Sequence, residues 1–237
     1  MEFDLTRVAR NMTRNLCGTD IVANNLANIN TTGFKRDASF TDWFIESLND
    51  VGAQRYTDFA QGELRKTDNP LDIGLASRGF FVVQTSSGPA FTRNGHFTVN
   101  DEGFIQTPQG YLLQGEQGPL SVMSANGVAG DVQITNNGEV YLDRILIDHL
   151  LIANIVNENA LEKIGSNLFR VSDDSLVTQL EPDRFLVRQG MLEGSNVRPV
   201  SEMVSLIELQ RNFESSQRVA RAMDQILGRA TQLGDYR

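Results

Sequence analysis

The chain has 237 residues, enough for one large domain or two modest ones. Apolar residues make up 40% and charged residues 22%, an ordinary balance for a soluble folded protein, and the net charge of -9 speaks against a phosphate-backbone ligand, which calls for a basic patch. A single cysteine, Cys17, excludes an internal disulfide, and no run approaches the roughly 20 apolar residues of a membrane-spanning helix.

The acidity itself reads as solubility. Glu2 and Asp4 precede any apolar run and no apolar segment of a secretory signal follows Arg7 or Arg10, so on these criteria alone the chain reads as cytosolic. From Leu5 the apolar positions run Leu5, Val8, Met12, Leu16, Ala23 and Leu26, in steps of three, four or seven. That spacing predicts an amphipathic helix over about Leu5–Ile29, with Gly33 as its stop signal. Cys17 in that helix reads as a small buried side chain, with a reactive thiol as the alternative. Asn24, Asn25 and Asn28 stand in its last turns and cost roughly 1–2 kcal/mol against alanine. Two readings account for them: buried amides that fix register with a partner, or caps on a fraying helix end. A helix lying on a membrane surface fits poorly, because Glu2, Asp4 and Asp20 dilute its cationic face.

Beyond Gly33 a mixed stretch runs to Asp58, with Trp43, Phe44, Ile45 and Leu48 at helical spacing, and predicts a short helix or an irregular arm. The texture then becomes strand-like. Leu71–Leu75 and Phe80–Gln84 are expected strands, and Phe91, Asn94-Gly95 and Phe97–Val99 carry the signature of a hairpin with a type I′ turn. A second hairpin is expected around Asn137-Gly138, between Val132–Thr135 and Glu139–Leu142. Gly103, Gly110 and Asn126-Gly127 mark further turns. Leu146–Ile155 reads as one long apolar strand, and Phe169–Val171 and Phe185–Val187 close the domain.

Little in this region offers chemistry. His96 and His149 sit in separate segments, and His96 reads as a solvated strand residue. Asp72, Asp143 and Asp148 are scattered, and Asp173-Asp174 looks like a loop. No ligand-spaced cluster suggests a metal, and neither a nucleophile elbow nor a phosphate-binding glycine loop is present. No catalytic residue, metal or cofactor is therefore expected, and a wall-acting hydrolase built on two distant carboxylates is kept only as a remote alternative.

Pro199 fits the first turn of a final helix, with Ser201-Glu202 at its positive end. Leu206, Phe213, Ala220 and Leu227 recur at seven, interleaved with Leu209, Ser216, Met223 and Ala230, which is the seam of a helix lying against other helices. Val219, Ile226 and Leu233 also recur at seven and broaden the apolar face. This helix and the N-terminal one are able to satisfy each other as a two-helix coil.

The stretch from Ala23 to Arg36, Ala-Asn-Asn-Leu-Ala-Asn-Ile-Asn-Thr-Thr-Gly-Phe-Lys-Arg, resembles the N-terminal signature of bacterial flagellar rod and hook proteins. Gln61–Leu64 with Asn69–Asp72, Gly79–Val83, Phe91–Gly95 and Gly190–Val197 resemble the rod branch, in the expected order along nearly the whole chain. The resemblance implies an axial subunit of the flagellum whose terminal helices pair and line a tube, with the β domain outside. It also implies export without a cleaved signal through the flagellar type III apparatus, which replaces the cytosolic reading. The expected partners are other rod subunits, further copies of the chain and that apparatus, with no nucleic acid and no small-molecule substrate. The short link from Arg36 to Gln61 and the Glu193–Val197 form point to the proximal-rod type, with the distal-rod type or another hook-basal-body axial protein as the alternative. Cys17 departs from the family's general avoidance of cysteine.

The expectation is therefore an α+β fold in which N- and C-terminal helices pair as a coiled coil around a mainly antiparallel, glycine-turn-rich β domain. Its segments are 1–33, 34–62, 63–190 and 191–237. The expected assembly seam is Leu206, Phe213, Ala220, Met223 and Leu227 with Leu5, Met12 and Leu26 opposite, and register falls to Asn24, Asn25 and Asn28. Core packing within one subunit is the competing reading for the seam.

Overall fold

The computed structural model describes residues 2–39, 55–123 and 130–234. Its chain is α+β, with long helices near both ends, α1 (Glu2–Ala27) and α2 (Pro199–Gly234), and short strands between them. Two compact units result: one gathers residues 1–28, 37–58 and 197–237, and the other residues 29–36 and 59–196.

In the first unit α1 and α2 pack against each other, and strand Asp37–Ser39 pairs antiparallel with Arg55–Thr57. α2 opens on Pro199, where a missing N–H costs nothing because the first turn has no acceptor for it. Trp43, Phe44, Ile45 and Leu48 of the expected arm, and Asn126-Gly127, lie outside the described residues.

The second unit is built on a large antiparallel sheet. Its path runs Leu161–Gly165, Leu168–Val171, Gly88–Thr92, Phe80–Thr85, Leu112–Gly115, Ile105–Gln106 and Thr98–Val99. The run Phe80-Phe81-Val82-Val83 lies at its centre and is buried on both faces. Because side chains alternate along a strand, Phe81 and Val83 enter one core with Ile73, Ile105, Leu113 and Ile152, while Phe80 and Val82 enter another with Phe91, Ile155 and Phe169. A smaller three-stranded sheet joins Val132–Ile134, Glu139–Leu142 and Ile145–His149. Two further pairs, Val187–Gln189 with Ile73–Leu75 and Met191–Glu193 with Leu64–Lys66, bring the end of the β region back onto its beginning.

Three sequence expectations need correction. The strands flanking Asn94-Gly95 do not form a hairpin: Gly88–Thr92 pairs with Phe80–Thr85 and Leu168–Val171, while Thr98–Val99 pairs with Ile105–Gln106. Neither Asn94 nor Gly95 has the positive φ of a type I′ turn. Glycine is required at 95 for another reason: a Cβ there would run into the Ile73 carbonyl oxygen, and the Ile73 N–H donates to the Gly95 carbonyl at 2.9 Å. Leu146–Ile155 is not one strand but two, Ile145–His149 in the small sheet and Ile152–Ile155 in the large one. Between them the Leu150 N–H turns to Gly138 O and the Leu151 N–H to Gln114 O, so the chain changes sheet there. Phe185 is buried but precedes its strand, which begins at Val187. The expected hairpin at Asn137-Gly138 does form, with Ile134 opposite Val140.

Candidate functional site

On α1 the buried positions are Gly18, Ile21, Val22 and Asn25, steps of three and four that trace one helical stripe. Gly18 lies under Leu209 of α2, where an added Cβ would stand 3.1 Å from Leu209 Cδ2. Asn25 has no solvent exposure, and its amide is fully used. Its Oδ1 accepts from the Asp37 N–H at 2.9 Å, while Nδ2 donates to the Asp37 carbonyl at 2.7 Å and to Glu202 Oε2 at 3.2 Å. Glu202, also buried, belongs to the first turn of α2, where the helix dipole favours a carboxylate. Asp37 Oδ1 in turn accepts from Thr57 Oγ1 at 2.9 Å. One side chain of α1 thus ties the strand Asp37–Ser39 to the start of α2, and Asp37 carries the connection on to Thr57 of the second strand. Buried polar groups left unpaired would cost about 1–3 kcal/mol each, so the network is self-consistent only with asparagine at its centre.

Asn24, by contrast, is exposed, and its carbonyl accepts from Asn28 Nδ2 at 2.9 Å. The Asn28 N–H donates to Asn25 O at 3.1 Å. The two sequence readings therefore divide: Asn25 is a buried amide with partners, and the Asn28 side chain caps the helix end at the Asn24 carbonyl. Met12 and Leu26 are half-buried on α1, as are Leu206, Phe213, Ala220 and Met223 on α2, joined there by Leu209 and Ser216. Leu5 and Leu227 fall within the helical spans, and their side chains lie outside the described residues. Leu16, expected on the apolar stripe, is 52% exposed, and Ile21 and Val22 take the buried places instead. Cys17 is half-buried. Val200, Met203, Val204 and Ile207 leave α2 with a second apolar face, each about half or more exposed.

The second unit holds a buried cluster of charge. Glu193 ends the strand Met191–Glu193, and its side chain is fully enclosed. Oε1 accepts from Lys35 Nζ at 2.7 Å and from the Gly62 N–H at 2.8 Å, while Oε2 accepts from Arg93 Nη1 at 3.2 Å. Lys35 Nζ also donates to Ala60 O at 2.7 Å, and Arg93 Nη1 to Ser77 O at 2.8 Å. The Arg93 guanidinium carbon sits 5.3 Å from the Phe80 ring centroid. Burial pulls the Arg93 pKa below its ordinary value, and the adjoining Glu193 carboxylate opposes that shift.

The loop after α1 is held from several sides. The Gly33 N–H donates to Glu193 O at 2.7 Å, and Lys163 Nζ donates to Lys35 O at 2.7 Å while lying 4.6 Å from the Phe34 ring centroid. Asn167 Nδ2 donates to Thr32 O at 2.9 Å, and Thr32 Oγ1 to Asn94 Oδ1 at 2.8 Å. Sequence reasoning set Glu202 at the positive end of α2 but found neither this cluster nor the Asn25–Glu202 bond, because partners a hundred or more residues apart leave no local periodicity. Lys35 and Glu193 did both fall in the quoted signature stretches.

His96 is better partnered than its sequence setting implied. Its Nδ1 lies 2.7 Å from Asp72 Oδ1, which also accepts from Asn69 Nδ2 at 3.1 Å. Asp72 is buried, so His96 is not simply a solvated strand residue. His149 Nδ1 stands 3.9 Å from Glu116 Oε2, apart from that pair. Among the described residues, no group of three or more His, Cys, Asp or Glu is placed to hold a metal ion.

The chain matches three family models in order: the flagella basal body rod protein at residues 12–35, the flagellar hook protein FlgE/F/G D1 domain at 75–142, and the flagellar basal body rod FlgEFG protein C-terminal at 188–233. It is similar to the flagellar basal-body rod protein FlgG of Caulobacter vibrioides, with 33% identity over 97% of this chain and 98% of that one. It is similar also to FlgF of the same organism, with 34% identity over 86% and 85% of the two chains. FlgG of Borreliella burgdorferi is 28% identical over 97% of each.

Proposed function

The chain belongs to the flagellar basal-body rod protein family, and we propose that it is a structural subunit of the rod that assembles through its terminal helices and transmits torque across the periplasm. The observation that carries this reading is the apolar inventory of α2. One face holds the half-buried Leu206, Phe213, Ala220 and Met223, and Val200, Met203, Val204 and Ile207 remain exposed on another. A helix with two apolar faces suits contact with one helix of its own chain and with a neighbouring subunit.

In this reading α1 and α2 form a two-helix coil, with Leu5, Met12 and Leu26 set against the α2 seam that continues to Leu227. Asn25 fixes register inside the subunit, and the exposed Asn24 and half-buried Asn28 serve at the contact with the next one. Residues 1–33 and 191–237 are the assembling segments, 34–62 the link, and 63–190 the outer body. Partners are other rod subunits, further copies and the flagellar type III export apparatus. Relatives named FlgG and FlgF match at 33% and 34% identity, so overall identity favours neither rod position. The short link supports the proximal one.

Replacement of Met203 and Ile207 by glutamate tests the assembly reading, because both side chains are already solvent-exposed. The variant is expected to keep its helical content and lose incorporation into purified basal bodies, with loss of swimming. Normal incorporation would refute the use of this face. Labelled subunits found beyond the mid-rod region would overturn the proximal position, and wall-degrading activity of the purified chain would overturn a purely structural role.

A further inference from the structure

The chain passes between its two compact units at 28/29, 36/37, 58/59 and 196/197. Within the second unit, three of those passages are bonded to one another. The Arg36 N–H donates to Asn196 Oδ1 at 2.7 Å, and Asn196 Nδ2 donates to Ala60 O at 3.0 Å. Lys35 Nζ reaches the same Ala60 carbonyl at 2.7 Å and closes the circle on Glu193 Oε1, also at 2.7 Å. Gly62 adds its N–H to that carboxylate at 2.8 Å.

We propose that Glu193 and Asn196 form a clasp that carries tension, locking three points where the chain enters or leaves the β-rich unit into one buried joint. Each passage is bonded to the other two, so a pull on any one is shared in parallel instead of peeling a strand edge one hydrogen bond at a time. Arg93 extends the clasp into the central sheet. It directly follows strand Gly88–Thr92, bonds Glu193 Oε2 at 3.2 Å and lies against Phe80 of the neighbouring strand. Charge supplies the strength, since hydrogen bonds between ionised partners such as Lys35 and Glu193, 2.7 Å apart, are stronger than those between neutral groups. Enclosure makes it brittle to substitution, because removing one partner strands a buried charge. The proposal does not depend on the rod reading: it rests on the bonds that Glu193, Asn196 and Lys35 make in this chain.

Hydrogen exchange on the full-length chain tests it. In Glu193→Gln, amides of 31–36, 59–62 and 191–196 are expected to exchange together, about a hundredfold or more faster than in the parent chain, with strands 80–85 and 112–115 unchanged. Acceleration confined to 191–196 would overturn the proposal, as would equal acceleration of the central strands. If that variant does not fold, Asn196→Ala replaces it, since it removes the neutral bonds to the Arg36 N–H and the Ala60 carbonyl and leaves the buried charges paired. There, 34–36 and 59–62 are expected to speed up together by about tenfold, and a change restricted to 195–197 would refute the clasp.

Discussion

Asn25 and Glu202 stand 177 positions apart in the chain, and Asn25 Nδ2 donates to Glu202 Oε2 at 3.2 Å with both residues buried. The same amide reads both sides of the Asp37 peptide, so substitution at 25 disturbs two helices and a strand at once. Asn25→Ala is expected to lower stability by about 2–3 kcal/mol in urea melts followed by far-UV circular dichroism. Asn25→Asp should cost more, because it sets a second carboxylate against Glu202. Asn24→Ala, at an exposed position, should stay within about 0.5 kcal/mol of the parent.

Gly18 and Leu209 set how closely the two helices approach. Gly18→Ala gains up to about 1 kcal/mol of helix propensity while asking Leu209 to move by a few tenths of an ångström, so it should be near neutral. Gly18→Leu forces the helices apart and should lower the thermal midpoint. Adding Leu209→Ala to that variant should restore more than half of the loss, and no recovery would show that the two positions are not opposed.

Gly95→Ala is expected to cost more than about 3 kcal/mol, a loss visible in near-UV circular dichroism, since the clash is with the Ile73 carbonyl and backbone has no rotamer to escape into.

Phe81→Ala removes a fully buried ring from the strand that lies between both cores and should cost about 3–5 kcal/mol. Ile145→Ser, at a side chain 69% exposed, should leave stability within about 0.5 kcal/mol. The pair distinguishes apolar residues that hold the fold from those that only look as though they do in the sequence.

That distinction marks what was legible in the chain. A period of three to four survives wherever one helix face packs on a neighbour, and Met12, Leu206, Phe213, Ala220 and Met223, picked out by spacing, are half-buried on their helices. It did not reveal that Ile21 and Val22 outrank Leu16, since a helix that narrows onto Gly18 is recognised only from its neighbour. The run Phe80–Gln84 announced a strand, and the structure adds that both of its faces are buried. The run Leu146–Ile155 misled because hydrophobicity does not record a change of sheet, and that change is made by hydrogen bonds at Leu150 and Leu151. Asn94-Gly95 misled for a related reason: glycine is demanded there by the Ile73 backbone, 22 positions earlier, and not by a turn. Clusters such as Lys35–Glu193–Arg93 leave no periodic trace at all, because each member is contributed by a different stretch of chain.

The span of the Lys35–Glu193 pair also has a meaning in time. Its residues are separated by 158 positions. A chain emerging from its N-terminus can form the central sheet early, through neighbours such as Phe80–Thr85 and Gly88–Thr92, but cannot complete the joint until residue 193 has appeared. Loop closure over that distance is entropically costly and slow compared with hairpin pairing. A chain truncated before residue 193 therefore lacks the carboxylate on which its earlier passages converge.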